Sequence, residues 1–182
     1  MQRVVFHSGC PSRLTTAHDG FGYTTVGLKD ANREDALLAS GSIPLICEPV
    51  RNIAGAPPGD YWDGGLIDYH LLLPYSQLDR LVLYPHFVPW ITPGWLDKSL
   101  RWRARPRQHA WLANVILISP SSAMLARLPD GKLPDRQDFY RYGTHHDARI
   151  AVWERAIAES QRFADAALAW LARPNTSLVQ PL

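Results

Sequence analysis

Apolar and polar positions alternate irregularly along the chain, and the pattern predicts a mixture of strands and helices. Residues 3–8, RVVFHS, are β-branched and aromatic and stop at Ser8-Gly9, which predicts a short strand. A second strand is predicted over 20–26, GFGYTTV, opened by Asp19-Gly20. Asp30, Ala31 and Asn32 then offer helix N-cap candidates. The REDALLAS stretch behind them places Ala36, Leu37 and Ser40 on one side of a short helix that stops at Gly41. The runs LVLY (81–84) and VILI (115–118) are continuously apolar, as expected of strands buried on both faces of a parallel sheet. Ile150, Trp153, Ile157, Ala164, Leu168 and Leu171 recur at helical spacing and predict an amphipathic helix over 147–172. That helix should pack on the sheet through Trp153, Ile157 and Leu168. Beyond Pro174 the chain reads as a frayed tail.

The order of these elements predicts an α/β fold, a mostly parallel sheet flanked by helices. No repeat, low-complexity block or linker divides the chain. Its least regular part is 85–107, broken by Pro85, Pro89, Pro93 and Pro106 and longer than a crossover needs. Trp90, Trp95, Trp102 and Trp111 interleave there with Lys98, Arg101, Arg103, Arg105 and Arg107. Two readings stand. Trp95, Arg101, Trp102, Arg103, Arg105 and Arg107 suit a membrane interface, with indoles at headgroup level and cations toward anionic lipid. Alternatively the segment is a solvated loop whose Trp side chains tuck into the core.

Composition narrows the classes. With 182 residues, 46% of them hydrophobic and 20% charged, the chain is long enough for one globular domain with its own core. A net charge of +2 is too slight for a nucleic-acid footprint, which needs a basic stripe. Two cysteines, Cys10 and Cys47, lack the spacing of a metal or redox pair and read as reduced thiols in a cytoplasmic protein. There is no apolar signal region and no run long enough to span a bilayer. No metal or cofactor is implied: no dinucleotide or P-loop glycine pattern is present.

The candidate chemistry lies in ASGSIPLICEPV (39–50) and DYWDGGLIDYH (60–70). Asp63-Gly64-Gly65 is first a turn signal, since glycine tolerates positive φ. Together the two motifs resemble the patatin-like phospholipases, in which an Ala-Ser-x-x-Ile-Pro segment at a helix end precedes a strand and an Asp-Gly-Gly loop. The resemblance runs from about residue 3 to 75. It implies a three-layer α/β architecture and a serine acyl hydrolase acting on lipid or other acyl esters through a Ser-Asp dyad. It makes Asp63 the general base and Gly64 and Gly65 its structural support. A carboxylate, with a pKa of about 3.9 in water, serves as a base only where water is scarce and a hydrogen bond aims it at the hydroxyl. Glycine neighbours let the backbone approach the nucleophile without a Cβ.

The chain departs from that pattern in two ways. No serine lies in G-x-S-x-G: Ser8 sits in FHSGC, Ser40 and Ser42 in LASGSIP, and Ser121 in SPSSA. The oxyanion glycine loop is absent as well. The expectation is that residues 1–174 are the C-terminal portion of a patatin-like catalytic domain and 175–182 a tail. Met1 is then internal or a misplaced start, and the buried strands, short of cover, expose an apolar face. On that expectation an N-terminal segment supplies the nucleophile and the isolated chain is inactive. The competing reading is a non-catalytic remnant of the same fold that binds lipid surfaces. Tyr69 and His70 stand where many family members have Asn and Pro, which leaves the roles of Asp68 and His70 open, and His70 is expected to make a hydrogen bond rather than hold a metal. Ser40 and Ser42 read as helix-terminal hydrogen bonders. His145, His146 and Asp147 open the long helix, where an N-terminal capping role is expected rather than metal binding.

Overall fold

The computed structural model describes residues 1–10, 14, 20–100 and 110–181. It is a mixed α/β chain with six short strands and five α-helices among the described residues. Two compact units divide it. The first comprises Met1–Val82 and Trp90–Val115, and the second Leu83–Pro89 and Ile116–Leu182.

In the first unit, β1 (Gln2–His7) and β2 (Gly22–Gly27) pair in parallel, with Val4 opposite Thr24 and Phe6 opposite Val26. Helix α1 (Asp30–Ser40) follows directly. Asn32 anchors its start: the side-chain oxygen accepts from the Lys29 N–H at 2.8 Å, and the amide donates to Gly27 and Ala54 carbonyls at 3.1 and 3.0 Å. Every polar arm of this buried amide has a partner, which is the condition for burying it without cost. The helix therefore turns Asn32 and Ala39 inward and leaves Leu37 exposed. This corrects the expected face of Ala36, Leu37 and Ser40, because the polar anchor at Asn32, rather than the leucines, sets the rotation of the helix. Ala39, Val50 and Ile53 form the core, with Phe6, Ala56 and Tyr61 packed against them. The two-residue strands β3 (Val50–Arg51) and β4 (Asp60–Tyr61) pair antiparallel and deliver the chain to helix α2 (Gly65–Asp68). Asn114 gathers the carbonyls of Tyr75, Leu78 and Arg80 at 2.8, 3.1 and 2.7 Å and so closes the 75–80 turn.

Strands β5 (Val82–Pro85) and β6 (Val115–Ile118) form a third pair. The Val82 N–H bonds the Asn114 carbonyl and the His86 N–H the Ile118 carbonyl, so both strands advance in the same direction. The single sheet expected from the apolar runs is replaced by separate two-stranded sheets. Nor are β5 and β6 buried on both faces: β6 is half-buried throughout, and Leu83 in β5, with Leu81 before it, is exposed. An apolar run specifies a strand but not its ladder partner.

The second unit also holds α3 (Ser122–Leu125), α4 (Gln137–Tyr142) and α5 (His146–Ala172). Ser121 caps α3, its hydroxyl oxygen accepting from the Met124 N–H at 3.2 Å. The long helix forms one residue earlier than the periodicity implies. Asp147 lies in its first turn, where a negative charge opposes the helix dipole, but no side chain caps the N-terminus. After Pro174 a 3-10 turn, Thr176–Leu178, closes on Asn175, whose side chain accepts from the Ser177 N–H, in place of the expected fray. No described helix is long and apolar enough to cross a membrane.

Candidate functional site

Strand β4 ends two residues before Asp63, and α2 begins two residues after it. The Asp63 carboxylate, half-buried, accepts the Gly65 N–H through Oδ1 at 2.7 Å, while the Leu66 N–H bonds the Asp63 carbonyl at 3.1 Å. A side chain is thus held by its own loop. The two glycines have different reasons to be there. A Cβ on Gly65 would stand 3.0 Å from Asp63 Oδ1, tighter than nine in ten real Cβ contacts, so a larger residue would displace this carboxylate by a few tenths of an ångström. Gly64 has right-handed helical angles and open space around it. Neither glycine has positive φ. The expected reason for both, a left-handed turn, gives way to close approach at Gly65, and nothing local requires glycine at 64.

The same loop is tied to the other motif. The Asp63 N–H donates to the Ser42 carbonyl at 3.0 Å, joining the Asp-Gly-Gly turn to the end of α1. Ser42 is buried, and its hydroxyl donates to the Leu38 carbonyl at 2.9 Å, the expected helix-terminal bond. Its proton is therefore committed to the helix end. Ser8, Cys10, Ser40 and Cys47 are exposed. Among the described residues no hydroxyl or thiol hydrogen-bonds the Asp63 carboxylate, whose Oδ1 is held by the Gly65 N–H.

Helix α2 is gripped from two sides. Arg3 of β1 donates to both Asp68 oxygens, Nε to Oδ2 at 2.6 Å and Nη2 to Oδ1 at 2.8 Å. Both side chains are largely buried, and a forked pair of this kind fixes direction as well as distance. On the other side the residues just after α2 meet 92–93 of the long connection. The Tyr69 N–H bonds the Pro93 carbonyl at 2.7 Å, the His70 N–H bonds the Thr92 carbonyl at 3.1 Å, and the Thr92 N–H returns to His70 Nδ1 at 2.9 Å. His70 therefore accepts at Nδ1, which leaves Nε2 as the protonated nitrogen of a neutral ring. Gly94 presses on α2 so closely that a Cβ would sit 2.8 Å from the Leu66 carbonyl. Lys98 completes the strap, 3.0 Å from the Tyr69 hydroxyl and 5.0 Å from its ring centre.

The connection over 85–107 thus serves the structure, because residues 91–99 hold the helix that follows Asp63. Trp95 is half-buried in the 3-10 turn Trp95–Ser99, as are Trp90 and Trp111. Arg101, Trp102, Arg103, Arg105 and Arg107 lie outside the described residues. Tyr61, packed beside the loop, donates its hydroxyl to the Pro57 carbonyl, and burial pushes its pKa above that of a free phenol. No group of three or more His, Cys, Asp or Glu among the described residues is arranged to hold a metal ion.

The sequence motifs single out Asp63, Gly64 and Gly65 and miss Arg3, Thr92 and Gly94. Arg3 carries one faint signal, a charge inside an apolar strand run, whereas Thr92 and Gly94 carry none. No protein-family model matches the chain, no curated protein matches it, and no solved structure matches it.

Proposed function

We propose that this chain supplies the base of a patatin-like Ser-Asp acyl hydrolase acting on lipid acyl esters, with Asp63 as general base. The G-x-S-x-G serine and the oxyanion donors come from a segment outside residues 1–182. The observation that carries the reading is the Asp63 N–H bond to the Ser42 carbonyl, which brings the two family-like motifs together. With Oδ1 tied to the Gly65 N–H, Oδ2 takes the serine proton as the serine oxygen attacks the ester carbonyl, then gives it to the alkoxide as the ester C–O bond breaks, so the alcohol leaves and the acyl group stays on serine. Water then attacks the acyl-serine, Asp63 taking its proton and returning it to the serine oxygen as the acid departs. The Arg3–Asp68 fork and the 91–99 strap keep α2, and so the loop before it, from moving during these steps.

A parent polypeptide joining this chain to a G-x-S-x-G segment should hydrolyse acyl esters. Asp63→Asn in that parent should lower kcat about 10²- to 10⁴-fold, the usual contribution of a positioned base. The isolated chain should show no turnover above background, because its sequence has no G-x-S-x-G serine and no oxyanion glycine loop. Turnover by the isolated chain that Asp63→Asn abolishes places a nucleophile among Ser8, Cys10, Ser40 and Ser42 instead. One observation favours the second reading, a non-catalytic module: the Asp63–Gly65 bond completes a turn without any substrate. An Asp63→Asn parent with undiminished rate would establish it.

A further inference from the structure

The strap over 91–99 meets the residues after α2 through one bond that a proton can break. His70, Ile91 and Thr92 are buried at this junction. Two bonds across it run to strap carbonyls, from the Tyr69 N–H to Pro93 and from the His70 N–H to Thr92, and neither involves a titrating atom. The third runs the other way, the Thr92 N–H donating to His70 Nδ1 at 2.9 Å. Only an imidazole with a lone pair at Nδ1 receives it. A second proton on the ring goes to Nδ1, since Nε2 already carries the first, and sets two donors face to face. Turning the ring over brings a carbon, Cδ2, to the same place. Either way a buried N–H loses its acceptor, a cost relieved by moving Thr92 outward. The carbonyl that receives the His70 N–H belongs to the same residue, so the two bonds go together.

The other titratable and charged groups on these elements are engaged. Asp68 sits in the fork from Arg3, Lys98 bonds the Tyr69 hydroxyl, Asp97 accepts the Gly94 N–H at 3.1 Å, and the Tyr75 hydroxyl donates to the Leu71 carbonyl at 3.0 Å. The Tyr69 ring stacks on the imidazole with centres 4.6 Å apart. Of these side-chain types, only imidazole ordinarily changes charge between about pH 5 and pH 8. We propose that His70 is a pH-sensitive latch: the neutral ring fastens the strap to the end of α2 and so steadies the Asp63 loop, and the protonated ring releases residues 92–94. Because the closed latch admits only the neutral ring, closure is complete above the ordinary imidazole pKa of about 6.5 and weakens as pH falls below it.

Amide hydrogen exchange of the chain, corrected for the intrinsic rate at each pH, tests this. Between about pH 7 and pH 5 the opening that exposes the His70 and Thr92 amides should grow about 10- to 30-fold, while the β1–β2 amides hold. In His70→Asn the amide Oδ1 takes the place of Nδ1 and gains no proton, so the same amides should change by less than about twofold. Nitrogen-15 spectra of the His70 ring read the latch without a substitution: the proton should sit on Nε2 in neutral solution, and the ring should titrate together with the strap exchange. Flat exchange in wild type, an equal rise in His70→Asn, an equal rise in the β1–β2 ladder, or a neutral ring protonated at Nδ1 overturns the proposal. Its bearing on hydrolysis rests on reading Asp63 as the general base. In the parent, His70→Asn should move the acid limb of kcat down by about one pH unit or more. An acid limb left in place overturns the latch's hold on the Asp63 loop. A releasing latch with turnover indifferent to Asp63→Asn removes only the catalytic reading, and a flat latch with Asp63-dependent turnover removes this inference alone.

Discussion

Gly64 and Gly65 are adjacent, identical in type and unequal in role. Gly65→Ala puts a methyl 3.0 Å from the carboxylate oxygen that its own N–H reaches, so the carboxylate must give by a few tenths of an ångström and the Asp63 bond lengthens. Gly64→Ala meets nothing and suits a right-handed helical backbone. It should leave stability unchanged or raise it by up to about 1 kcal/mol by narrowing the unfolded ensemble. Gly65→Ala should lower stability by up to about 1 kcal/mol, the net worth of the bond it lengthens. Thermal melts of the two variants check this, and equal midpoints would sink the distinction. Such an asymmetry is not legible in the sequence. The letters Asp-Gly-Gly announce a turn, but which glycine bears a close approach depends on where the aspartate side chain folds. The Arg3–Asp68 fork is hidden for a related reason: 65 residues separate its partners, and no local pattern records a pairing over that distance.

Element by element, the clearest sequence signal is the long helix, whose span is legible to within a residue while its buried face is not. The apolar stripe of Ile150, Ile157, Leu168 and Leu171 is exposed. Ala156 and Glu159 turn inward, with Val152, Trp153, Phe163, Ala167 and Trp170 half-buried beside them. The reason lies in charges on neighbouring elements. Glu159 receives Arg127 Nε at 2.8 Å and lies 3.3 Å from Arg155. Asp138 of α4, also buried, takes Lys132 at 2.7 Å, the Asp135 N–H at 3.0 Å and the Trp153 indole N–H at 3.0 Å. Phe139 meets Trp153 edge-on with ring centres 5.4 Å apart. Hydrophobic spacing is blind to such partners, because a buried carboxylate counts as polar in any pattern. Two variants separate the faces. Ile157→Ser should change stability by no more than about 0.5 kcal/mol, as at an ordinary exposed site. Ala156→Leu should cost about 1–3 kcal/mol by overpacking. Urea midpoints in the reverse order would restore the face read from periodicity.

Over the whole chain, the two units are held by different forces, and acid should tell them apart. In the first unit Ala39, Val50 and Ile53 form an apolar cluster with no proton to gain, and one largely buried carboxylate, Asp68, is paired with Arg3. The second buries Met124, Leu128 and Ala156 together with the carboxylates Asp138 and Glu159. The hydrogen bond from Lys132 holds the Asp138 pKa below the ordinary carboxylate value. The bond from Arg127 does the same for Glu159, in each case against the opposing effect of burial. A carboxylate whose folded pKa is depressed binds fewer protons folded than unfolded near pH 4. Its stabilisation is therefore complete above the unfolded pKa of about 4 and drains as pH falls through the lower folded value. Protonation also leaves Lys132 and Arg127 without their counter-charges. Lys132, raised chiefly by its bond to Asp138, follows the opposite rule: its contribution is complete below the unfolded lysine value and fades only as pH rises above it. Neutral solution therefore lies on a plateau, and the second unit, with two buried carboxylates against Asp68 in the first, meets the acid edge first. Hydrogen exchange followed from pH 6 to pH 3, on the order of the window set by carboxylate titration, should show amides of α4 and α5 losing protection before those of the β1–β2 ladder. Simultaneous loss in both units, or earlier loss in β1 and β2, would mean that the Asp138 and Glu159 networks do not govern the acid limit. Asp138→Asn supplies the control: it keeps the shape, removes the titrating charge, costs on the order of 1.5–3 kcal/mol at neutral pH, and should flatten the acid dependence of the second unit.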